Sequence, residues 1–145
     1  MILSSLKHRR NFIFLRKNGD FYKFRYFYIQ FLAFDKGLHY KKRSSVEYNL
    51  KHMRLSENKV PIVRVGITVT KSNYKTAVRR NNIRRRIKAA LSEISIINIL
   101  QNFPQGFDIN FLIKPNFEES DYRSIVKDIE SFLFIRLEFY QNNLI

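Results

Sequence analysis

The chain has 145 residues, 45% of them hydrophobic and 15% aromatic, a length that fits one domain and a composition too apolar for a disordered chain. With 27 Lys and Arg against 12 Asp and Glu, the formal net charge is +15, so self-repulsion calls for a polyanionic partner, nucleic acid ahead of an anionic membrane surface. The absence of cysteine excludes disulfides, thiol catalysis and cysteine-ligated zinc, and no apolar run reaches the roughly 18 residues that span a bilayer.

The opening MILSSLKHRR has too short an apolar part for a secretory signal, which leaves a cytoplasmic protein as the expectation. Leu3 to Gly19, LSSLKHRRNFIFLRKNG, reads as a short basic helix capped by Ser4 or Ser5 and stopped by a left-handed Asn18-Gly19. Phe24 to Phe34, FRYFYIQFLAF, reads as a strand or hairpin, with Phe27, Ile29, Phe31 and Ala33 on an apolar face and Tyr26, Tyr28 and Gln30 on a polar-tipped one. Lys36 to Pro61 is polar and weakly periodic, and it is expected to be a flexible insertion (36–61) within a single domain spanning 1–145.

VRVGITVTK, Val63 to Lys71, alternates Val65, Ile67 and Val69 against Gly66, Thr68 and Thr70 and predicts a strand. A helix is predicted from Thr76 to about Ser95, extending at most to Leu100. FDINFLIKP, Phe107 to Pro115, is a further strand, with Phe107, Ile109, Phe111 and Ile113 on its apolar side. Glu118, Glu119 and Asp121 suit the positive N-terminus of a last helix, in which Tyr122, Ile125, Ile129, Phe132 and Leu133 recur at helical spacing. The order gives an α+β layered sandwich, and Val63 to Pro115 is a strand-helix-strand unit that allows parallel pairing through a crossover helix.

The segment TAVRRNNIRRRIKAAL, Thr76 to Leu91, carries five arginines and one lysine and no acid. Turning about 100° per residue, Ile83, Ile87, Ala90, Leu91 and Ile94 share one side. Asn81, Arg85, Lys88 and Ser92 centre the other, flanked by Arg84 and Arg86. Arg79 and Arg80 fall in the first turn, where positive charge opposes the helix dipole unless an anion binds there. Arginine forks grip phosphate oxygens bidentately, and asparagine adds neutral donors and acceptors for sugar or phosphate. A solvated basic face without a ligand is the plain alternative.

These residues resemble the protein subunit of bacterial ribonuclease P. RVGITVTK followed by SNYKTAVRRNNIRRRIKAA is similar to the family's signature, matching at Lys71, Ala77, Val78, Arg80, Asn81 and Arg85. Arg84 and Lys88 keep the family's charge, while Tyr74 replaces its glycine and Ala89 its acidic residue. SLKHRRNF resembles the opening helix, with Leu6, Lys7, Phe12 and Gly19 in step and Arg16 where a second Phe is usual. FRYFYIQFL and GFDINFLIKP resemble later strands, with Arg25 at a basic position.

The resemblance implies a fold like the ribosomal protein S5 domain 2-like fold, in α-β-β-β-α-β-α order with a left-handed βαβ crossover, the rarer hand. It implies a subunit of an endoribonuclease that removes the 5′ leader of precursor tRNA, with the cleavage done by the RNA and its magnesium ions. The partners implied are ribonuclease P RNA and precursor tRNA, with no membrane. Catalytic-RNA binding is expected at Lys71, Arg79, Arg80, Asn81, Arg84, Arg85 and Lys88. Leader binding is expected in a cleft between the opening helix and the polar-tipped sheet face, at Lys7, Phe12, Arg25, Tyr26, Tyr28 and Gln30. Phe12 has core packing as its alternative, and His8, His39 and His52, in basic or polar segments, are expected at the surface. No catalytic or metal-binding residue is expected in the protein. The rivals are a structural ribosomal or RNA-packaging protein without a processing role, a peripheral membrane protein, and a protein-only nuclease.

Overall fold

The computed structural model describes residues 2–33, 62–94 and 106–143; the expected insertion at 36–61, with His39 and His52, and the helix extension beyond Ile94 lie outside these. In chain order the elements are β1 (Ile2–Ser5), α1 (Arg9–Asn18), β2 (Asp20–Lys23), β3 (Phe27–Ala33), β4 (Ile62–Thr68), α2 (Ala77–Glu93), β5 (Gly106–Ile113), a 3-10 turn (Phe117–Glu119) and α3 (Tyr122–Asn143). The strands form a five-stranded sheet of order β1-β4-β5-β3-β2, so β4, α2 and β5 make the expected strand-helix-strand unit between neighbouring strands. No helix among the described residues is long and apolar enough to cross a membrane. By its internal contacts the chain divides into two compact units, Met1–Tyr22 with Ile29–Gly66 and Phe103–Phe111, and Lys23–Tyr28 with Ile67–Asn102 and Leu112–Ile145.

In the first unit the N-terminus departs from expectation. Ile2–Ser5 is a strand parallel to β4, in register Ile2↔Ile62 to Ser5↔Val65, and the ladder continues as Leu6 N–H donates to the Val65 carbonyl at 2.9 Å. Ser4 and Ser5 are therefore strand residues, and α1 begins at Arg9 behind an extended His8. Helix propensity is a weak prior, and pairing with β4 satisfies backbone groups that would otherwise lack partners. Gly19 stops α1 with φ −80° and ψ 167°, an extended conformation and not the left-handed one expected. Glycine is needed there for room, since a Cβ would stand 2.6 Å from the Leu15 carbonyl oxygen and 2.8 Å from that of Phe31.

The alternation read for β3 and β5 holds within this unit. Ile29, Phe31, Phe107, Ile109 and Phe111 are buried with Leu15 of α1, and the Phe31 and Phe107 rings lie 4.9 Å apart. The opposite face is buried as well, at Gln30, Asp108 and Asn110. Burying polar side chains requires partners, and they are present. Arg64 grips Asp108 bidentately at 2.7 and 2.6 Å, and Asn110 donates to Gln30 at 3.1 Å.

In the second unit, Thr76 caps α2 by accepting the Arg79 amide at 3.3 Å. The aliphatic stripe Ile83, Ile87, Ala90, Leu91 and Ile94 is buried as predicted, and α2 packs against α3 through Ile125, Ile129, Phe132 and Leu133. Of the three acids expected at the start of α3, only Asp121 is there: its carboxylate accepts the Ser124 amide at 2.7 Å, which holds its pKa below the ordinary carboxylate value. Glu118 and Glu119 belong to the preceding 3-10 turn, and Tyr122 is exposed rather than part of the buried stripe.

Tyr74, which stands where the resemblance has glycine, is fully buried. Its hydroxyl donates to the Lys114 carbonyl at 2.7 Å and accepts the Phe117 amide at 3.2 Å, so it fastens the loop before α2 to the chain after β5. Burial raises its pKa above the ordinary tyrosine value. Tyr74→Phe keeps the ring and strands both backbone groups, so thermal or urea unfolding should show a loss of about 1–3 kcal/mol.

Candidate nucleic-acid interface

The side of α2 opposite its buried stripe is a cationic surface. Asn81, Arg85, Lys88 and Ser92 are exposed, in the i, i+4, i+7, i+11 pattern read from the sequence. The side chains of Arg85 and Lys88 have no hydrogen-bond or ion-pair partner among the described residues. Arg84 donates to the Asn81 side-chain oxygen at 3.2 Å, which links two members of the stripe. Lys71 is exposed in the turn that leads to the helix.

The arginines at the ends of the segment are held by the protein itself. Arg80 reaches back to the carbonyls of Tyr74 and Lys75 at 2.8 and 3.1 Å. Arg79 pairs with Glu118 and lies over the Tyr74 ring, 5.2 Å from its centroid. Donating to the Glu118 carboxylate pushes the Arg79 guanidinium further up from its ordinary pKa. Glu118 thus offsets a first-turn charge that the sequence left uncompensated, from 39 residues away. Arg86 is turned inward, donating to the Ser120 carbonyl at 2.7 Å over the Phe117 ring. Val78, 70% exposed, is an apolar member of the otherwise polar face, and the sequence reading did not assign it a role.

The residues read as a leader-binding cleft divide between the two units. In the first, Phe12 of α1 is partly exposed, and its ring lies against Gly66 of β4, which the side-chain oxygen of Asn110 of β5 also approaches. Lys7 is exposed just before α1. Gln30 is buried, and its side-chain oxygen accepts from Asn110 at 3.1 Å.

In the second unit, a cavity of about 620 Å³ is lined in part by Arg25, Tyr28, Thr68, Thr70, Asn73 and Lys114, with no acidic residue among the described residues of its wall. The Lys114 ammonium sits 4.5 Å from the Tyr28 ring centroid. Tyr26 lies before the start of β3, so strand alternation does not govern it; it is buried, with the Arg25 guanidinium 5.3 Å from its ring centroid. It supports Arg25 and presents no open face for stacking.

Arg64, Asp108, Asn110 and Lys114 were not legible as site residues. The sequence signal for the first three was polar side chains on central strands, where both faces are covered. Burial raises the Asp108 pKa well above its ordinary value and lowers that of Arg64 to about 10. No group of three or more His, Asp or Glu among the described residues is placed to hold a metal ion.

The family model described as Ribonuclease P matches residues 3–137. The ribonuclease P protein component of Clostridioides difficile (strain 630) is 31% identical over 117 residues, 81% of this chain and 85% of that one. The one from Alkaliphilus oremlandii (strain OhILAs) is 32% identical over 111 residues, 77% and 79% of the two chains. Among solved structures, the RNase P protein from Thermotoga maritima superposes with a TM-score of 0.55 at 22% identity, covering 90% of this chain and 94% of that one. The RNase P protein of Staphylococcus aureus superposes with a TM-score of 0.51 at 16% identity, covering 91% and 94%. Those two likenesses establish a shared mixed α+β fold, and the sequence matches go further: the chain belongs to the ribonuclease P protein family, whose members are subunits of an endoribonuclease that contains ribonuclease P RNA.

Proposed function

We propose that this subunit holds ribonuclease P RNA through the outer face of α2 and the 5′ leader of precursor tRNA through surfaces on each of its two units. The observation that carries the reading is the two-sidedness of α2, with Ile83, Ile87, Ala90 and Leu91 buried and Asn81, Arg85 and Lys88 exposed. Phosphates along the RNA backbone supply the negative charge the stripe lacks, and each one neutralised releases counterions. Lys71 and Arg84 extend the stripe, while Arg79 and Arg80 shape the start of α2 and offer their remaining donors to phosphate.

For the leader, Phe12 supplies a ring for stacking on an unpaired base, with Lys7 exposed just before α1. The second unit supplies the cavity at Arg25 and Tyr28, whose wall, with Lys23, Arg25 and Lys114, is cationic and suits a sugar-phosphate backbone. Tyr26 and Gln30 act beneath these surfaces. Magnesium ions, if held by the RNA, would supply Lewis-acid chemistry for the hydrolysis; the protein's residues bind and orient the two RNAs. The place of action is the cytoplasm.

Reconstitution tests the reading. Adding the protein to its cognate ribonuclease P RNA at low magnesium should raise precursor-tRNA cleavage, and Phe12→Ala should weaken binding of leader-bearing precursor more than of mature tRNA. Unchanged cleavage would return the chain to a structural RNA-binding role, and equal losses for the two tRNAs would make Phe12 a packing residue only.

A further inference from the structure

Gly66 lies in the middle of β4, where glycine weakens a strand and has no side chain to pack. Its backbone does not call for glycine, since Gly106 has the positive φ recorded among the described glycines. What Gly66 provides is space. A Cβ there would stand 2.6 Å from Cε1 and 3.0 Å from Cζ of Phe12, and 2.9 Å from Oδ1 of Asn110. The tip of the Phe12 ring thus occupies the place that a side chain of any other residue would take. Asn110 is itself pinned, being 2% exposed with its amide nitrogen bonded to Gln30, so the oxygen facing Gly66 cannot turn away without breaking that bond.

We infer that Gly66 is a positioning residue for leader binding: the bare backbone, with the fixed Asn110 amide beside it, sets the depth at which the Phe12 ring sits and hence its fit to an unpaired leader base. The inference rests on the leader-binding reading of Phe12. A ring lowered onto backbone is held from below and leaves its exposed part for the base, and an aromatic platform of this kind accepts any base. A methyl group at position 66 lifts or tilts the ring, while the cationic face of α2 belongs to the other unit and keeps its geometry.

The test is a double-mutant cycle in the holoenzyme reconstituted with its ribonuclease P RNA, measuring the ratio of affinities for leader-bearing precursor and mature tRNA. Gly66→Ala should lower this preference about fivefold to tenfold, with affinity for ribonuclease P RNA unchanged. In a Phe12→Leu background, where no ring remains to be displaced, the same substitution should have no further effect on the preference. A preference untouched by Gly66→Ala, or lowered by the same factor with Leu at position 12, overturns the inference. Full preference in Phe12→Leu alone would instead overturn the leader-binding reading of Phe12. Thermal melts accompany each variant; should Gly66→Ala not fold, the cycle is run with Asn110→Ala, which removes the neighbouring amide without adding bulk. A smaller loss of preference that again vanishes with Leu at position 12 supports the seat, and no loss overturns it.

Discussion

Replacing both Arg85 and Lys88 by alanine should weaken ribonuclease P RNA binding by about tenfold to a hundredfold near physiological salt and make its salt dependence shallower. The two side chains are exposed and without partners among the described residues, so their charge is available to RNA and their removal disturbs no internal contact. If each neutralises one phosphate, the slope of log affinity against log salt should fall by about 1.5 to 2. Filter binding across a salt series reads both quantities, and the melting temperature of the free protein should hold. Arg86→Ala is the contrasting variant. That side chain is spent on the Ser120 carbonyl and the Phe117 ring, so its loss should lower the melting temperature and leave the salt slope nearly intact. A slope unchanged in the Arg85/Lys88 double variant would remove the outer face of α2 from the RNA interface.

The largest stability effect is expected at Asp108. Its side chain is wholly buried and the Arg64 side chain is 11% exposed, and the two are joined by two short hydrogen bonds. Asp108→Ala leaves the guanidinium buried without its counter-charge, a change that costs about 3–5 kcal/mol in comparable buried pairs. Replacing both residues, Arg64→Met with Asp108→Leu, should recover most of that loss, because removing both charges removes the desolvation cost of each. Urea unfolding of the wild type and the two variants compares the losses. Equal losses in the single and double variants would show that packing volume, and not the ion pair, sets the stability of β4 against β5.

Much of this was readable in advance, and the residues show why. The two faces of α2 follow from a 3.6-residue period applied to Ile83, Ile87, Ala90 and Leu91, and every one of them is buried. The apolar sides of β3 and β5 follow from the two-residue period. What escaped depended on partners far away in sequence. β1 exists because β4 offers a parallel edge some 60 residues later, so a segment rich in basic residues read as helix throughout. Glu118 finds Arg79, and Tyr74 finds Lys114 and Phe117, through tertiary packing that no local pattern encodes. Tyr74, which stands where the resemblance has glycine, proves to be a buried clasp. Gln30 and Tyr26 had the right polar tips for a binding surface, but burial assigned them to supporting roles.

The unpaired charges on α2 also bear on the fate of the protein before assembly. A ligand that binds only the native state raises its stability by mass action, about 2.7 kcal/mol when present at a hundred times its dissociation constant. Copies seated on ribonuclease P RNA therefore spend far less time unfolded than copies without it. Proteolysis that acts through the unfolded state would remove unassembled subunits first, so the arginine and lysine proposed to grip the RNA would also tie the amount of surviving protein to the amount of RNA available to hold it.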